Sequence, residues 1–447
     1  MSAYLQHLAQ VNDIQPVYAA CDILSRDGEV LLSKGSPLDH DAAQRLANTE
    51  LGKNIEYCIT LEQEFDLAFI TQIFITFISS DVSLNSIFEL RDLNDKFEQA
   101  LLAFSEEKIL CQKLNILAIQ LPDIFDQSFF CAWMALAILA HENQPQERLN
   151  EAFIASLSHD LGLLHISPDI LFKQGPLNAD EWQHMQEHVL FSVKILKEMT
   201  RQEKTCARAV IEHHEFIDGT GYPKGKLQQQ TSALGKLLQL LDSLNAIYRK
   251  QYKPRNRTLR DMIPLIQMTT LSRGGVHSDA LIDLLKDTPG TDHCAIHPDL
   301  IPAAVNHLQG NAEEIEAFLN ITKTFTKAVG TKHKDIKVLA LQSTSRLISS
   351  TLASCGIINE AYMRWIEQVR DEKLEFAYRE LEDVLMMTEE IKFHVRRFDR
   401  QIALYLGKNE SPLTRQIVEL QKQVQAIPRS EVDEEGITAY LAGTVAS

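Results

Sequence analysis

The chain is short of positive charge. It has 44 Lys and Arg against 61 Asp and Glu in 447 residues, a formal net charge of −17. Such an acidic surface argues against a nucleic-acid polymer or an anionic membrane as main partner, because both need clustered cations. A small anionic ligand is not excluded, since a metal or a few local cations can hold one phosphate-bearing molecule whatever the net charge. Paired cysteines are also missing. Cys21, Cys58, Cys111, Cys131, Cys206, Cys294 and Cys355 are scattered and form no C-x-x-C pair, which argues against a disulfide framework or a thiolate zinc site and suits a reducing cytoplasm. No apolar run reaches the roughly 18 residues of a membrane span. The best, Leu67 to Ile78, contains Gln72 and lies between Asp66 and Asp81. Met1 to Asn12 has neither the basic start nor the unbroken apolar core of a secretory signal. A cytoplasmic protein with no membrane partner is expected.

What remains is an ordinary globular composition, 45% hydrophobic and 23% charged, long enough for roughly three domains. Val17 to Leu38 alternates apolar and polar residues around Arg26-Asp27-Gly28, which predicts a β-hairpin inside a small β-containing module over residues 1–62. Residues 63–122 read as a helical linker region, with Ile70, Ile73, Phe74, Phe77 and Ile78 on one stripe. Helical patterns follow at Phe129 to His141, Leu149 to Asp160, Ala179 to Met199 and Leu234 to Tyr248. The expected fold is mainly α with a β-flavoured start. In the C-terminal region, residues 291–447, Leu374, Ala377, Leu381, Val384, Thr388, Ile391, Val395, Phe398, Ile402 and Tyr405 keep a three-four spacing up to Gly407. That is a long helix with a coiled-coil-like seam. Two readings stay open for it: packing inside one chain, or a homodimer through the seam.

Metal-ligand types are ordered between residues 159 and 242: His159-Asp160, His188, His213-His214 and Asp242. His159-Asp160 ends the apolar run Phe153 to Leu157, and Asp242 follows Leu237 to Leu241. Imidazoles and carboxylates delivered beside core leucines are costly unless they are paired or bound to metal. Four imidazoles and two carboxylates suffice for two divalent cations, with Asp160 able to bridge them.

Residues 123–290, most closely from about 123 to 287, resemble the HD-GYP domain, a bacterial branch of the HD metal-dependent phosphohydrolases that hydrolyses cyclic di-GMP. The resemblance rests on His159-Asp160-Leu161-Gly162, on Ile170 to Leu177, on Glu181-Trp182 and His188, and on His213-His214-Glu215 leading to Asp218-Gly219-Thr220-Gly221-Tyr222-Pro223. It implies an HD-type helical bundle in which His159, Asp160, His188, His213, His214 and Asp242 hold two divalent metal ions, iron or manganese, with His159 and Asp160 at the centre of the catalysis. It further implies that Tyr222 lines the substrate pocket and that Lys250 and Lys253 match basic residues gripping phosphate.

Three positions depart from the family. Leu163 replaces a lysine expected to contact the substrate phosphate, with His165 two residues on as a local substitute or a packing residue. Asp123 stands nearest to the family's third-metal glutamate, but Gln127 replaces the histidine four residues later. Asn245 replaces the second acidic residue after the last ligand. The expected function is a phosphodiesterase opening cyclic di-GMP to linear pGpG, and on to GMP, in bacterial second-messenger signalling. The alternative is a catalytically weak relative that binds cyclic di-GMP or a protein partner and signals through its helical C-terminus.

Overall fold

A computed structural model describes residues 2–197, 203–226, 230–270, 275–331, 335–357, 359–407 and 413–428. The chain is mainly α, as the periodicity predicts, and divides into two compact units. One comprises Met1–His214 with Ser232–Asn245, the other Glu215–Thr231 with Ala246–Ser447.

The first unit opens with α1 (Ala3–Asn12), β1 (Val17–Ala19), β2 (Ile23–Leu24), β3 (Val30–Leu32), α2 (His40–Ala47) and β4 (Ile59–Leu61). β2 and β3 form the predicted hairpin, with Gly28 at φ +88° in its turn. β1, which the alternation assigned to the same hairpin, pairs antiparallel with β4 instead. Alternation fixes which face is buried, here Val17 and Ala19 with Ile59 and Leu61, but it does not name the partner strand.

The helices α3 (Leu67–Ser79), α4 (Val82–Leu90), α5 (Asn94–Ser105), α6 (Lys108–Gln120) and α7 (Pro122–His141) build the core. Asp66 starts α3 by accepting from the amide of Phe69, and Pro122 occupies the first turn of α7. α7 is buried on nearly every side. Phe74 stacks on Phe129 with ring centroids 4.2 Å apart, and Phe97 meets Trp133 edge-on. Each such ring removed from water contributes about 1.5–3 kcal/mol. Among the described residues, α7 is the single straight helix long and apolar enough to cross a membrane, and 72% of that stretch is buried within the protein.

α8 (Gln146–Ser158), α9 (Pro168–Leu171), α10 (Ala179–Gln186), α11 (His188–Leu196), α12 (Glu203–Glu212) and α13 (Ala233–Ile247) follow. The single helix expected from Ala179 to Met199 is broken after Gln186, and Met199 lies outside the described residues.

The second unit holds α14 (Ile263–Thr269), α15 (Ser278–Lys286), α16 (Ile301–Val329), α17 (Ile336–Cys355), α18 (Glu360–Asp371), α19 (Tyr378–Leu406) and α20 (Thr414–Gln425). α19 is the predicted long helix, although Leu374 precedes its start. Its seam residues Leu381, Val384, Thr388, Ile391, Val395, Phe398, Ile402 and Tyr405 are buried, and α14, α16, α17 and α20 of the same chain pack on α19. The stripe is therefore covered by helices of the same chain. Polar contacts add to this packing: Arg379 donates to Asp261 at 3.0 Å, and Arg257 and Arg379 both bond Asp383.

Candidate metal centre

Two histidines of the first unit stand directly after a helix, His159 after α8 and His213 after α12, while His188 opens α11 just beyond the end of α10. Each ring turns back on the helix before it. Nδ1 of His159 donates to the carbonyl of Ser156 at 2.6 Å, that of His188 to Met185 at 2.8 Å, and that of His213 to Val210 at 2.5 Å. A carbonyl only accepts, so the proton of the neutral ring lies on Nδ1 and Nε2 presents a lone pair. Such backbone anchoring is the usual support of metal-binding imidazoles, and the negative ends of the α8 and α12 dipoles favour a cation.

The Nε2 atoms converge on Asp160. Those of His188 and His213 lie 3.3 and 3.6 Å from Oδ1, and that of His159 lies 3.3 Å from Oδ2. Donor atoms of Asp160, His188, His213 and His214 all fall within 4.8 Å of one another. Asp242 completes the set: its Oδ1 is 3.9 Å from Nε2 of His159 and its Oδ2 is 3.9 Å from Nδ1 of His214. All six residues singled out in the sequence are thus brought together.

The chemistry of this gathering fits a metal. His159 Nε2, His213 Nε2 and Asp160 Oδ1 are buried without a hydrogen bond. Lone pairs aimed at a buried carboxylate oxygen repel it unless a cation lies between them. Imidazole nitrogen with carboxylate oxygen is a donor set for divalent transition metals. Burial alone would raise Asp160, but His159, His188 and His213 outweigh it and hold the carboxyl well below its ordinary range. Burial pushes His213 and His214 down, the latter helped by His213 and His188. Burial also works to lower His188, but the Asp160 carboxylate outweighs it and leaves that ring raised. Asp242 is raised by burial.

Local structure explains the convergence. After Asp160 the chain makes a short 3-10 turn, Leu161–His165. A Cβ on Gly162 would stand 2.0 Å from the carbonyl oxygen of His188 and 2.6 Å from the amide nitrogen of Ser192, so only glycine allows this turn to lie against α11. On the other side, Glu212 accepts from the amide and hydroxyl of Ser232 at 2.7 and 2.6 Å, tying the end of α12 to the start of α13, which carries Asp242. The amide of Gln127 on α7 donates to Oδ1 of Asp242, so the residue at this position holds Asp242 in the cluster. The Glu212 clamp left no signal in the sequence beyond a carboxylate beside the His pair.

The remaining candidates separate from the cluster. Asp123 is exposed in the first turn of α7 and is not among the gathered donors. Leu163 is 7% exposed. His165 is a packing residue, with its ring stacked on Tyr4 at 5.0 Å and on Phe191 at 5.4 Å and its Nε2 3.3 Å from Nζ of Lys113. Tyr222, Lys250 and Lys253 belong to the second unit, where both lysines are exposed.

Residues 112–273 match the HD domain family. The chain is 38% identical over 93 residues to the 3'3'-cGAMP-specific phosphodiesterase 3 of Vibrio cholerae, covering 21% of this chain and 20% of that protein. It is 32% identical over 117 residues to cyclic di-GMP phosphodiesterase PA4108 of Pseudomonas aeruginosa, covering 26% and 28%. Against the cyclic di-GMP phosphodiesterase of Thermotoga maritima it is 28% identical over 123 residues, covering 27% and 33%. The chain thus spans about a fifth to a third of the length of these relatives. Among solved structures it is similar to Bd1817, a HDG"Y"P protein from Bdellovibrio bacteriovorus, at 13% identity and a TM-score of 0.29, over 61% of this chain and 94% of that one.

Proposed function

We propose that the chain is a two-metal phosphodiesterase that opens cyclic di-GMP to linear pGpG and carries hydrolysis on to GMP in bacterial second-messenger signalling. The observation that carries the reading is Asp160, whose two carboxylate oxygens face separate imidazole sets. In this reading Asp160, His188, His213 and His214 would hold one ion, and Asp160, His159 and Asp242 the other. Iron or manganese suits these donors. When bound, the ions supply charge neutralisation of the phosphodiester and an acidified water near neutral pH.

The protein's own groups do the rest. Asp160 stays ionised because imidazoles surround it, the three anchored rings keep their lone pairs inward, and Gln127 holds Asp242 in place. Asp123, standing apart from the cluster, is assigned no ion. Residues 123–290 act as the catalytic module, with 1–62 and 291–447 as its regulatory ends. Seven free cysteines support a cytoplasmic setting.

Leu163 favours a second reading, a binder with little turnover. A charge-assisted hydrogen bond to phosphate is worth about 1.5–3 kcal/mol, so its loss costs about 10- to 100-fold. The deciding experiment measures metal content and incubates the protein with cyclic di-GMP or 3'3'-cGAMP in the presence of Mn2+. Two ions per chain and a linear product are expected. Asp160→Ala should lose metal and at least about 1000-fold in turnover. Full metal loading with the nucleotide retained intact would establish the binder instead.

A further inference from the structure

The stretch that leaves His214 is held by a helix far along the chain. Glu215 is the next residue after His214, and the segment to Lys226 folds into a ring closed on carboxylates. Glu215 accepts from the amides of Lys224 and Lys226 at 2.8 and 2.6 Å. Asp218 Oδ1 accepts from the amide and hydroxyl of Thr220 at 2.9 and 2.7 Å, while Gly219 turns at φ +77°. A Cβ on Gly225 would stand 2.9 Å from the carbonyl oxygen of Gly219. The Asp-Gly-Thr-Gly-Tyr-Pro motif is therefore a self-bonded loop.

Into that ring reaches the buried guanidinium of Arg397 from α19. It pairs with Oδ2 of Asp218 at 2.7 Å, donates twice to Oγ1 of Thr220 at 3.2 and 3.3 Å, and lies 3.9 Å from the centroid of the Phe216 ring. One turn further, Gln401 donates to the backbone carbonyl of Asp218 at 2.9 Å. One side chain thus engages an anion, a hydroxyl and an aromatic face, a combination that suits the planar, many-donor guanidinium. The loop it holds begins at the residue following His214 and returns to α13, which bears Asp242.

We infer that Arg397 is a positioning residue, through which α19 sets the placement of the His213-His214 pair and so the affinity of the metal centre. The inference rests on the metal-dependent reading above and extends it to regulation: whatever shifts α19 along or about its axis changes metal binding.

The test uses the full chain with Arg397→Ala, Arg397→Lys and, as a control on the same helix, Lys392→Ala, which loses contacts to Asn311 and Glu314. Hydrogen exchange at the amides of Thr220, Lys224 and Lys226 and Mn2+ affinity by calorimetry are the readouts. In Arg397→Ala exchange should quicken and Mn2+ affinity should fall, each by about tenfold, an ordinary strength for coupled sites. Arg397→Lys should recover part of both, because it keeps the charge opposite Asp218. Lys392→Ala should alter neither. If Arg397→Ala does not fold, Gln401→Ala takes its place with the same directions and smaller shifts. Faster exchange with unchanged Mn2+ affinity overturns the inference, as does an equal loss of affinity in Lys392→Ala. Mn2+ binding without cyclic di-GMP hydrolysis in the unaltered chain counts against the phosphodiesterase reading alone, since the latch is judged on exchange and affinity. No Mn2+ binding at all overturns both.

Discussion

Two residue pairs of the cluster, His159-Asp160 and His213-His214, each run on into a short segment held from a distance, and the two segments are held by different forces. After Asp160 the chain makes the 3-10 turn Leu161–His165. Its backbone lies against α11 at Gly162, its His165 ring stacks on Tyr4 of α1, and its Ile166 carbonyl takes a hydrogen bond from His7 at 3.0 Å. Fit of backbone and ring dominates there. After His214 the loop to Lys226 is organised by carboxylates and a guanidinium. Apolar contact is non-directional and fails when volume changes, whereas a charged latch depends on geometry and can be released and remade. The first segment thus reads as a fixed foundation for Asp160 and the second as the adjustable side of the centre.

Five substitutions would break or sharpen that contrast. The largest effect is expected from Leu381→Asp, which puts a charge into the fully buried face of α19. A loss of about 4 kcal/mol or more should loosen the loop from Glu215 to Lys226 while the turn at Leu161–His165 keeps its hydrogen-exchange protection. Equal loosening of both segments would end the distinction, and a clean dimer-to-monomer change in sedimentation would contradict the intramolecular seam.

Next comes Gly162→Ala, whose methyl group would strike backbone atoms of α11. About 3 kcal/mol of stability in urea unfolding, together with most of the metal, should be lost. Gly225→Ala in the adjustable loop should cost about 1–2 kcal/mol, because it meets one carbonyl and a left-handed φ of +62°. Equal costs would show that both segments are set by steric fit.

The third effect depends on pH. Burial, reinforced by the Lys113 ammonium, pushes His165 down to about 3. In the unfolded chain the ring titrates near 6.5, so below that pH the unfolded state takes up a proton that the folded state refuses. Stability therefore falls as pH drops from about 6.5 towards 3, by about 2 kcal/mol at pH 5. His165→Phe keeps the stack and removes the titration, so its metal-free stability should fall about 2 kcal/mol less than that of the parent between pH 7 and 5. Identical slopes would mean that the ring is open to solvent and the foundation less closed than its contacts suggest.

The smallest effect is that of Leu163→Lys. Restoring a cation beside the phosphate site should raise kcat/KM on cyclic di-GMP by about tenfold. A flat or lowered value would show that the turn is too firmly packed for the new side chain to reach the substrate.

Much of the clustering was legible in the sequence, because the gathered residues come from short motifs whose helix-end positions are local properties. His159, Asp160, His188, His213, His214 and Asp242 are all where the motifs put them. The long apolar periods marked α7, α8, α13 and α19 for the same reason. What stayed hidden depends on chain partners that no spacing encodes. β1 chose β4 over its neighbour in sequence, Gln127 proved to bond Asp242 across 115 residues, and Arg397 meets Thr220 across 177. The three-four stripe of α19 was equally visible, yet a stripe does not say whether its cover comes from the same chain.

α19 carries one more consequence. Arg379, which bonds Asp261, and Arg397, which bonds Asp218, are 18 residues apart, as are Asp383 and Gln401. At 3.6 residues per turn, 18 residues make about five full turns and about 27 Å. Both pairs therefore share one azimuth, and the helix works as a keyed shaft with teeth at two stations. Adding one residue between the stations would turn the far pair by about 100° and unseat it, whereas removing seven would leave it within about 20° of its bearing. Length variants of α19 should accordingly follow the helical period rather than the number of residues gained or lost.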